Sequence, residues 1–311
     1  MSAFTKWDIL THRLDRVWAG LDTPWEFLLL LFDHASLRLR GKNPHRHLEK
    51  VTKRFLSSIT KEDGCYRIGE VHLPALDPET ERQFFGYVFE DIFYSYLYCG
   101  DNYDEGKMDR YYSLLAEGFF CLENERIDVR VHPGDVVIDA GSWIGDFAAY
   151  ASVKGATVYA FEPIEVPYRY LLETARLNAN ILPVKKGLGD SETQAVMSDD
   201  DSYTLGNAIL TDGQTGSAVE ITTVDAFVRD QRLARVDFIK ADIEGYERHM
   251  LKGAQETLAR FAPKLALCTY HLPDDPEVLS KLIKQADPAY NVVLKSKKLY
   301  ASVPPKGTRT Q

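Results

Sequence analysis

From Pro133 onward the sequence alternates short apolar runs with stretches of helical periodicity, and this rhythm confines the chain to repeated βα units more tightly than any other feature. Val136-Val137-Ile138-Asp139 reads as a buried strand closed by the turn Ala140-Gly141-Ser142, with a helix from about Gly145 to Lys154. Thr157 to Phe161 is the next strand. The helix after it presents Tyr168, Leu171, Leu172, Ala175 and Ala179 on one face. Ile181 to Gly187 reads as a third strand, and residues 191–220 as a hairpin with a polar loop around Asp199-Asp200-Asp201. Val236 to Ala241 is a fourth core strand, leading into a helix striped by Met250, Leu251, Ala254, Leu258 and Phe261. Lys264 to Tyr270 is a fifth. Asp275-Pro276-Glu277 offers an N-cap, a proline at the first helical position and an acid in the first turn. The helix it opens buries Val278, Leu279, Leu282, Ile283 and Ala286. Asn291 to Leu294 is a late strand, with Leu299 to Val303 beside it. The expectation is a doubly wound α/β sheet.

The 311 residues exceed what one ordinary core needs, and the first 130 have a different character. They are aromatic-rich and irregular. Asp22-Thr23-Pro24 caps a helix expected near Trp25. The basic run Arg38, Arg40, Lys42, Arg46, Lys50, Lys53 and Arg54 suits a solvated helix face or contact with an anionic surface, the former being the simpler reading. Phe84 to Tyr98 carries eight aromatics, a density expected of packing or a subunit interface more than of sugar stacking. The division expected is a mainly helical accessory region over 1–130, a catalytic domain over 131–303 and a tail over 304–311. A homo-oligomer is compatible with it.

A net charge of −9 argues against nucleic-acid binding, which needs basic residues to meet phosphates. The four cysteines lack metal-ligand or redox spacing. Met1 to Asp15 mixes charged and apolar residues unlike a secretory signal, and Trp25 to Phe32 is too short to span a bilayer. A cytoplasmic protein with no transmembrane segment is expected.

Four places carry candidate chemistry. Asp139-Ala-Gly141-Ser142-Trp143-Ile-Gly145 joins a strand to a helix, where glycine permits a tight turn and the helix N-terminus offers free N–H groups. The pattern lacks the three glycines of a dinucleotide fingerprint. It suits a ligand carrying both an ammonium and a carboxylate. Glu162 ends the next strand 21 residues after Gly141, an offset at which an acid accepts ribose hydroxyls. Lys240-Ala-Asp242-Ile-Glu244-Gly245-Tyr246-Glu247 puts two acids at the carboxyl end of a core strand, the edge where open α/β sheets bind ligands. One of the two also serves as a helix cap. His271 falls on the same edge, after the fifth strand.

Taken in order, Gly134-Asp-Val-Val-Ile-Asp139-Ala-Gly141, Tyr159-Ala-Phe161-Glu162-Pro163, Gly189-Asp190 and Lys240-Ala-Asp242-Ile-Glu244-Gly245 resemble the FkbM-type methyltransferases over about residues 130–300. The Asp242 block is the most specific, and the first block is shared with many methyltransferases. Trp143 replaces a small or amide residue that many members carry. The resemblance implies a seven-stranded Rossmann-like sheet, S-adenosyl-L-methionine as methyl donor, and a hydroxyl of a sugar, polysaccharide or natural product as acceptor. It implies donor binding by Asp139, Gly141, Ser142, Trp143, Gly145, Glu162, Gly189 and Asp190. Asp242, Glu244 and His271 are left to meet the acceptor, with Asp242 the first choice for base or orienter and His271 the second. A divalent metal on these three is the less favoured version, because no tight ligand spacing announces it. A nicotinamide-dependent oxidoreductase and a non-catalytic binding module are the alternatives.

Overall fold

Strand β6 (Val136–Ala140) is apolar without alternation because both of its faces are covered. Val137 points into one core and Ile138 into the other. The computed structural model describes residues 59–84, 121–123, 127–198, 216–295 and 298–304. Around β6 lie β7 (Thr157–Phe161), β8 (Ile181–Val184), β12 (Phe238–Ala241), β13 (Lys264–Cys268), β14 (Asn291–Lys295) and β15 (Lys298–Ser302). They form a seven-stranded sheet in the order β14-β15-β13-β12-β6-β7-β8. The five strands from β8 to β13 are parallel, and β15 runs antiparallel to both its neighbours. The order reverses between β6 and β12, so their carboxyl ends open the crevice where a doubly wound sheet binds its ligand.

Helices α1 (Asp146–Val153) and α2 (Glu165–Leu177) cover one face, where Phe147, Ala148, Ala151 and Leu171 pack on Val137, Val158 and Phe238. The other face is covered by α3 (Val224–Asp230), α4 (Glu247–Lys252), α5 (Gln255–Phe261) and α6 (Asp275–Ala286). There Phe227, Met250, Leu251, Leu258, Leu279 and Ile283 pack on Ile138, Ile239 and Leu265.

Several elements differ from the sequence reading for local reasons. The buried line of α2 is Pro167, Leu171 and Thr174, while Ala179 is exposed beyond its end. Thr174 is tolerated inside because its hydroxyl donates to the Ile144 carbonyl at 2.6 Å. The third strand stops at Val184, and Gly187–Leu188 forms β9 in a separate small sheet with the hairpin β10 (Thr193–Ser198) and β11 (Gly216–Thr222). The stripe from Met250 to Phe261 is carried by two helices, broken at Gly253, where an added Cβ would collide with the Gly189 carbonyl. Asp275 already lies within α6, its carboxylate accepting from Leu272 N at 2.9 Å and from Arg248 at 2.6 Å.

In the N-terminal region, where mainly helix is expected, the described residues include a β-meander. Its strands are β1 (Ile59–Glu62), β2 (Cys65–Ile68) and β3 (Val71–Leu73). Helical residues 78–84 follow, and the short pair β4 (Leu122–Glu123) and β5 (Asp128–Val129) precedes the sheet. The helix expected near Trp25, the basic run, the aromatics after Phe84, the loop around Asp199 and the tail from Pro305 lie outside the described residues. The meander packs on α1 and α2, with Ile68, Val71 and Leu73 fully buried. Asn178 ties it down: its side chain accepts from His72 N at 3.2 Å and donates to His72 O at 2.7 Å. No helix among the described residues is long and apolar enough to cross a membrane.

Candidate active site

The link from β6 to α1 is shaped by what presses on it. Gly141 (φ 74°) abuts the backbone carbonyl of Asp242, and a Cβ there would overlap it. Gly145 (φ 84°) packs against Leu171 and Thr174 of α2. Gly141 N and Ser142 N both donate to Phe161 O, at 3.0 and 2.9 Å, and the Ser142 hydroxyl donates to Asp139 O at 2.9 Å. Trp143 holds a left-handed backbone (φ 48°), and its ring lies 6.4 Å from that of Phe84, so the N-terminal region reaches this turn.

Glu162, buried at the end of β7, accepts from Trp143 N at 3.1 Å and from Ile164 N at 2.9 Å. Burial pushes its carboxyl up to about 7, against the pull of those two donors and of Lys240. Burial likewise raises Asp146, in the first turn of α1, to about 6. Asp139 has no exposed surface, and Lys240 Nζ stands 3.0 Å from its Oδ1 while donating to Gly141 O at 2.6 Å. Burial alone would lower the Lys240 pKa, but Asp139, Asp242 and Asp146 hold it above the ordinary lysine range. The Asp139–Lys240 pair therefore sits beneath the turn and braces it.

Gly189 and Asp190 follow β9. Gly189 donates to Thr222 O at 2.9 Å and lies against the ring of Tyr246. Asp190 Oδ2 is 2.7 Å from His249 Nδ1, whose ring stacks on Tyr246 at 4.3 Å. The hydrogen bond to His249 lowers the Asp190 pKa. The contacts described for these two residues run to the small sheet and α4, not to the Gly141–Gly145 turn.

Asp242, Glu244 and His271 come together. Strands β12 and β13 pair in parallel with Ala241 opposite Leu267, which sends both following loops out of the same sheet edge. His271 Nε2 lies 3.5 Å from Asp242 Oδ1 and 3.4 Å from Glu244 Oε2, and its Nδ1 lies 3.0 Å from Glu247 Oε1. Glu247 is fully buried, and its Oε1 also accepts from Ile243 N at 2.9 Å. The Tyr270 hydroxyl donates to Asp242 Oδ1 at 2.9 Å. Glu244 and Gly245 both have positive φ, 54° and 90°. That conformation is unusual for glutamate and is the kind of strain that gathers at working sites. Burial raises Glu244 to about 7, with His271 opposing the rise. Burial would lower His271, but Glu247 and the other two carboxylates carry it upward.

Asp242 N donates to Ala140 O at 3.1 Å, so the acid–histidine cluster adjoins the glycine turn. Three residues that hold the site together have no assigned role in the sequence reading: Lys240, Glu247 and Tyr270. A lysine inside the otherwise apolar strand Phe-Ile-Lys-Ala is a visible signal for the first. Glu247 and Tyr270 give none, since their partners are set by the fold.

A doubly wound sheet with a glycine turn at its switch point and acids on the neighbouring strand end is an α/β fold with its ligand crevice at that edge. Residues 132–289 match the methyltransferase FkbM domain, and the chain belongs to that family of methyltransferases. Over 154 residues it is 29% identical to the hexuronic acid methyltransferase AglP of Haloferax volcanii, covering 49% of this chain and 62% of that protein. It is 46% identical over 52 residues to the 31-O-demethyl-FK506 methyltransferase FkbM of Streptomyces tacrolimicus, covering 16% of this chain and 20% of that one. The chain thus spans less than two thirds of each of these curated relatives. The crystal structure of FkbM from Methylobacillus flagellatus aligns at 20% identity with a TM-score of 0.45, over 73% of this chain and 67% of that one.

Proposed function

We propose that this methyltransferase moves the methyl group of S-adenosyl-L-methionine to a hydroxyl of a sugar or a related natural product. Residues 131–303 would form the catalytic unit, with the region before them contributing to acceptor binding. The observation that carries the reading is the contact between the two halves of the site: the Asp242 backbone closes on Gly141, so the acids and histidine stand beside the donor turn. The acceptor class is supported by the relative that methylates a hexuronic acid.

The residues present fit such a donor. Ser142 and Trp143, their own N–H groups engaged by Phe161 and Glu162, lead into the N-terminus of α1, whose dipole suits a carboxylate, and each oxygen of Glu162 keeps a lone pair beyond the backbone N–H it already accepts. Gly141 and Gly145 admit the turn, and the Asp139–Lys240 pair fixes it. Gly189 and Asp190 would close the donor site from the side of β9. When bound, the sulfonium supplies an electrophilic methyl group. The protein's part is alignment, an effect worth up to roughly 7–11 kcal/mol. Asp242, steadied by Tyr270, would orient the acceptor hydroxyl and receive its proton as the oxygen–carbon bond forms and the carbon–sulfur bond breaks. Glu244 and His271 would hold Asp242 and the hydroxyl in register.

The test is transfer of radiolabelled methyl from S-adenosylmethionine to a panel of uronic acids, neutral glycans and hydroxylated natural products. Asp242→Asn should lower turnover by about 10²-fold or more while binding S-adenosylhomocysteine as tightly as the parent chain. Asn keeps the size of Asp and can still accept from the Tyr270 hydroxyl. Near-normal turnover would therefore assign Asp242 to structure and sink its role in the reaction.

A further inference from the structure

Asp242, Glu244 and His271 each present a ligating atom within 4.8 Å of the others. The two distances from His271 Nε2, 3.5 and 3.4 Å, are too long for charge-assisted hydrogen bonds, which close to about 2.7–2.9 Å. They lie closer to a different geometry. Ligand atoms about 2.1 Å from one ion, and about 90–110° apart around it, lie roughly 3.0–3.4 Å from each other, so the three side chains need to close by only a small amount around an ion.

A second observation points the same way. The His271 side chain is only 8% exposed, and its Nε2 is sealed from solvent without a hydrogen-bond partner among the described residues. A buried polar nitrogen left in that state is unfavourable, and a cation bound to its lone pair removes the deficit. On the other side of the ring, Glu247 Oε1 lies 3.0 Å from Nδ1, at ion-pair distance though off hydrogen-bond geometry, and is itself fully buried. A carboxylate on that side draws the proton to Nδ1 and leaves Nε2 to a metal. Tyr270 steadies Asp242 in the same supporting manner.

We infer that Asp242, Glu244 and His271 form a binding site for one divalent metal ion at the carboxyl edge of β12 and β13. Two carboxylate oxygens and one imidazole nitrogen suit an ion that accepts both ligand types, such as Mn²⁺. Asp242 and Glu244 keep 24% and 23% of their side-chain surface exposed, so the ion has open positions toward solvent and acceptor. For its part in the reaction the site rests on the methyl-transfer reading: the ion would hold and polarise the acceptor oxygen beside the glycine turn. Sequence spacing hides the site because its third ligand lies 27 residues beyond Glu244, on the loop after a different strand.

The full chain, stripped with chelator, should be titrated with Mn²⁺ under electron paramagnetic resonance and calorimetry, with S-adenosylhomocysteine binding measured in parallel. The expected result is one Mn²⁺ per chain. Asp242→Asn and His271→Gln should weaken it at least tenfold, and Glu247→Gln by about 10- to 100-fold. Retained S-adenosylhomocysteine binding shows each variant folded, and Glu173→Gln, on the exposed face of α2, should change nothing. No stoichiometric Mn²⁺ in a parent chain that binds S-adenosylhomocysteine overturns the inference, as does Mn²⁺ binding that all three variants keep. Stoichiometric Mn²⁺ in a chain that fails to bind S-adenosylhomocysteine supports the metal site and removes the donor reading instead.

Discussion

On the proposed donor site, Glu162 would tie stability and ligand binding to the same proton. Its carboxyl sits at about 7 in the folded chain against an ordinary 4.5. Between those values the folded chain keeps a proton that the unfolded chain has lost, so stability falls as pH rises through that window and levels off above it. A ribose hydroxyl would donate best to the ionised form, so on that proposal donor-site affinity moves in the opposite direction. S-adenosylhomocysteine should bind roughly tenfold more weakly at pH 6 than at pH 8, one pH unit below the shifted pKa leaving about a tenth of the carboxyl ionised. Glu162→Gln should flatten both dependences. Calorimetry across that range checks the affinity, and a parent chain whose affinity does not change with pH would remove Glu162 from the donor site.

At the scale of the element, β12 carries a charge that its own pattern opposes. Lys240 is buried among Phe238, Ile239 and Ala241, and it is stable there because Asp139 on the adjacent strand β6 lies opposite in register. Removing one partner leaves the other charge buried and uncompensated, a loss of about 3–5 kcal/mol. Lys240→Met should thus lower the unfolding free energy by about that amount, while Lys240→Met combined with Asp139→Asn should recover most of it. Urea denaturation of the three variants provides the measurement. If the double variant is as unstable as the single one, the pair is not what braces the turn. The left-handed Glu244 and Gly245 lie one strand end away, Gly245 against His271 and Leu272 of the loop after β13.

On the scale of the whole molecule, the β-meander and the main sheet share one core, in which Ile68 and Leu73 lie with Phe147 and Leu171. Asn178→Ala would remove the two bonds to His72 and a third to Thr174 O, and should cost about 1–3 kcal/mol. Because the core is shared, calorimetry should show a single transition moved to lower temperature; a separate low-temperature transition would mean the meander is an independent unit. The sequence by itself determined the βα rhythm, the strands around Val137, Val158 and Ile239, and the glycine turn after Asp139, because backbone periodicity and left-handed φ leave local marks. It also placed Asp242, Glu244 and His271 on one edge, since every parallel strand delivers its carboxyl end to the same side. Only the tertiary structure decided that Asp139 faces Lys240, that Asn178 rather than Ala179 turns inward, and that Glu247 stands behind His271. Those partners are separated by up to about a hundred residues, and no local periodicity records a contact that exists only after the strands have paired and the helices have closed over them.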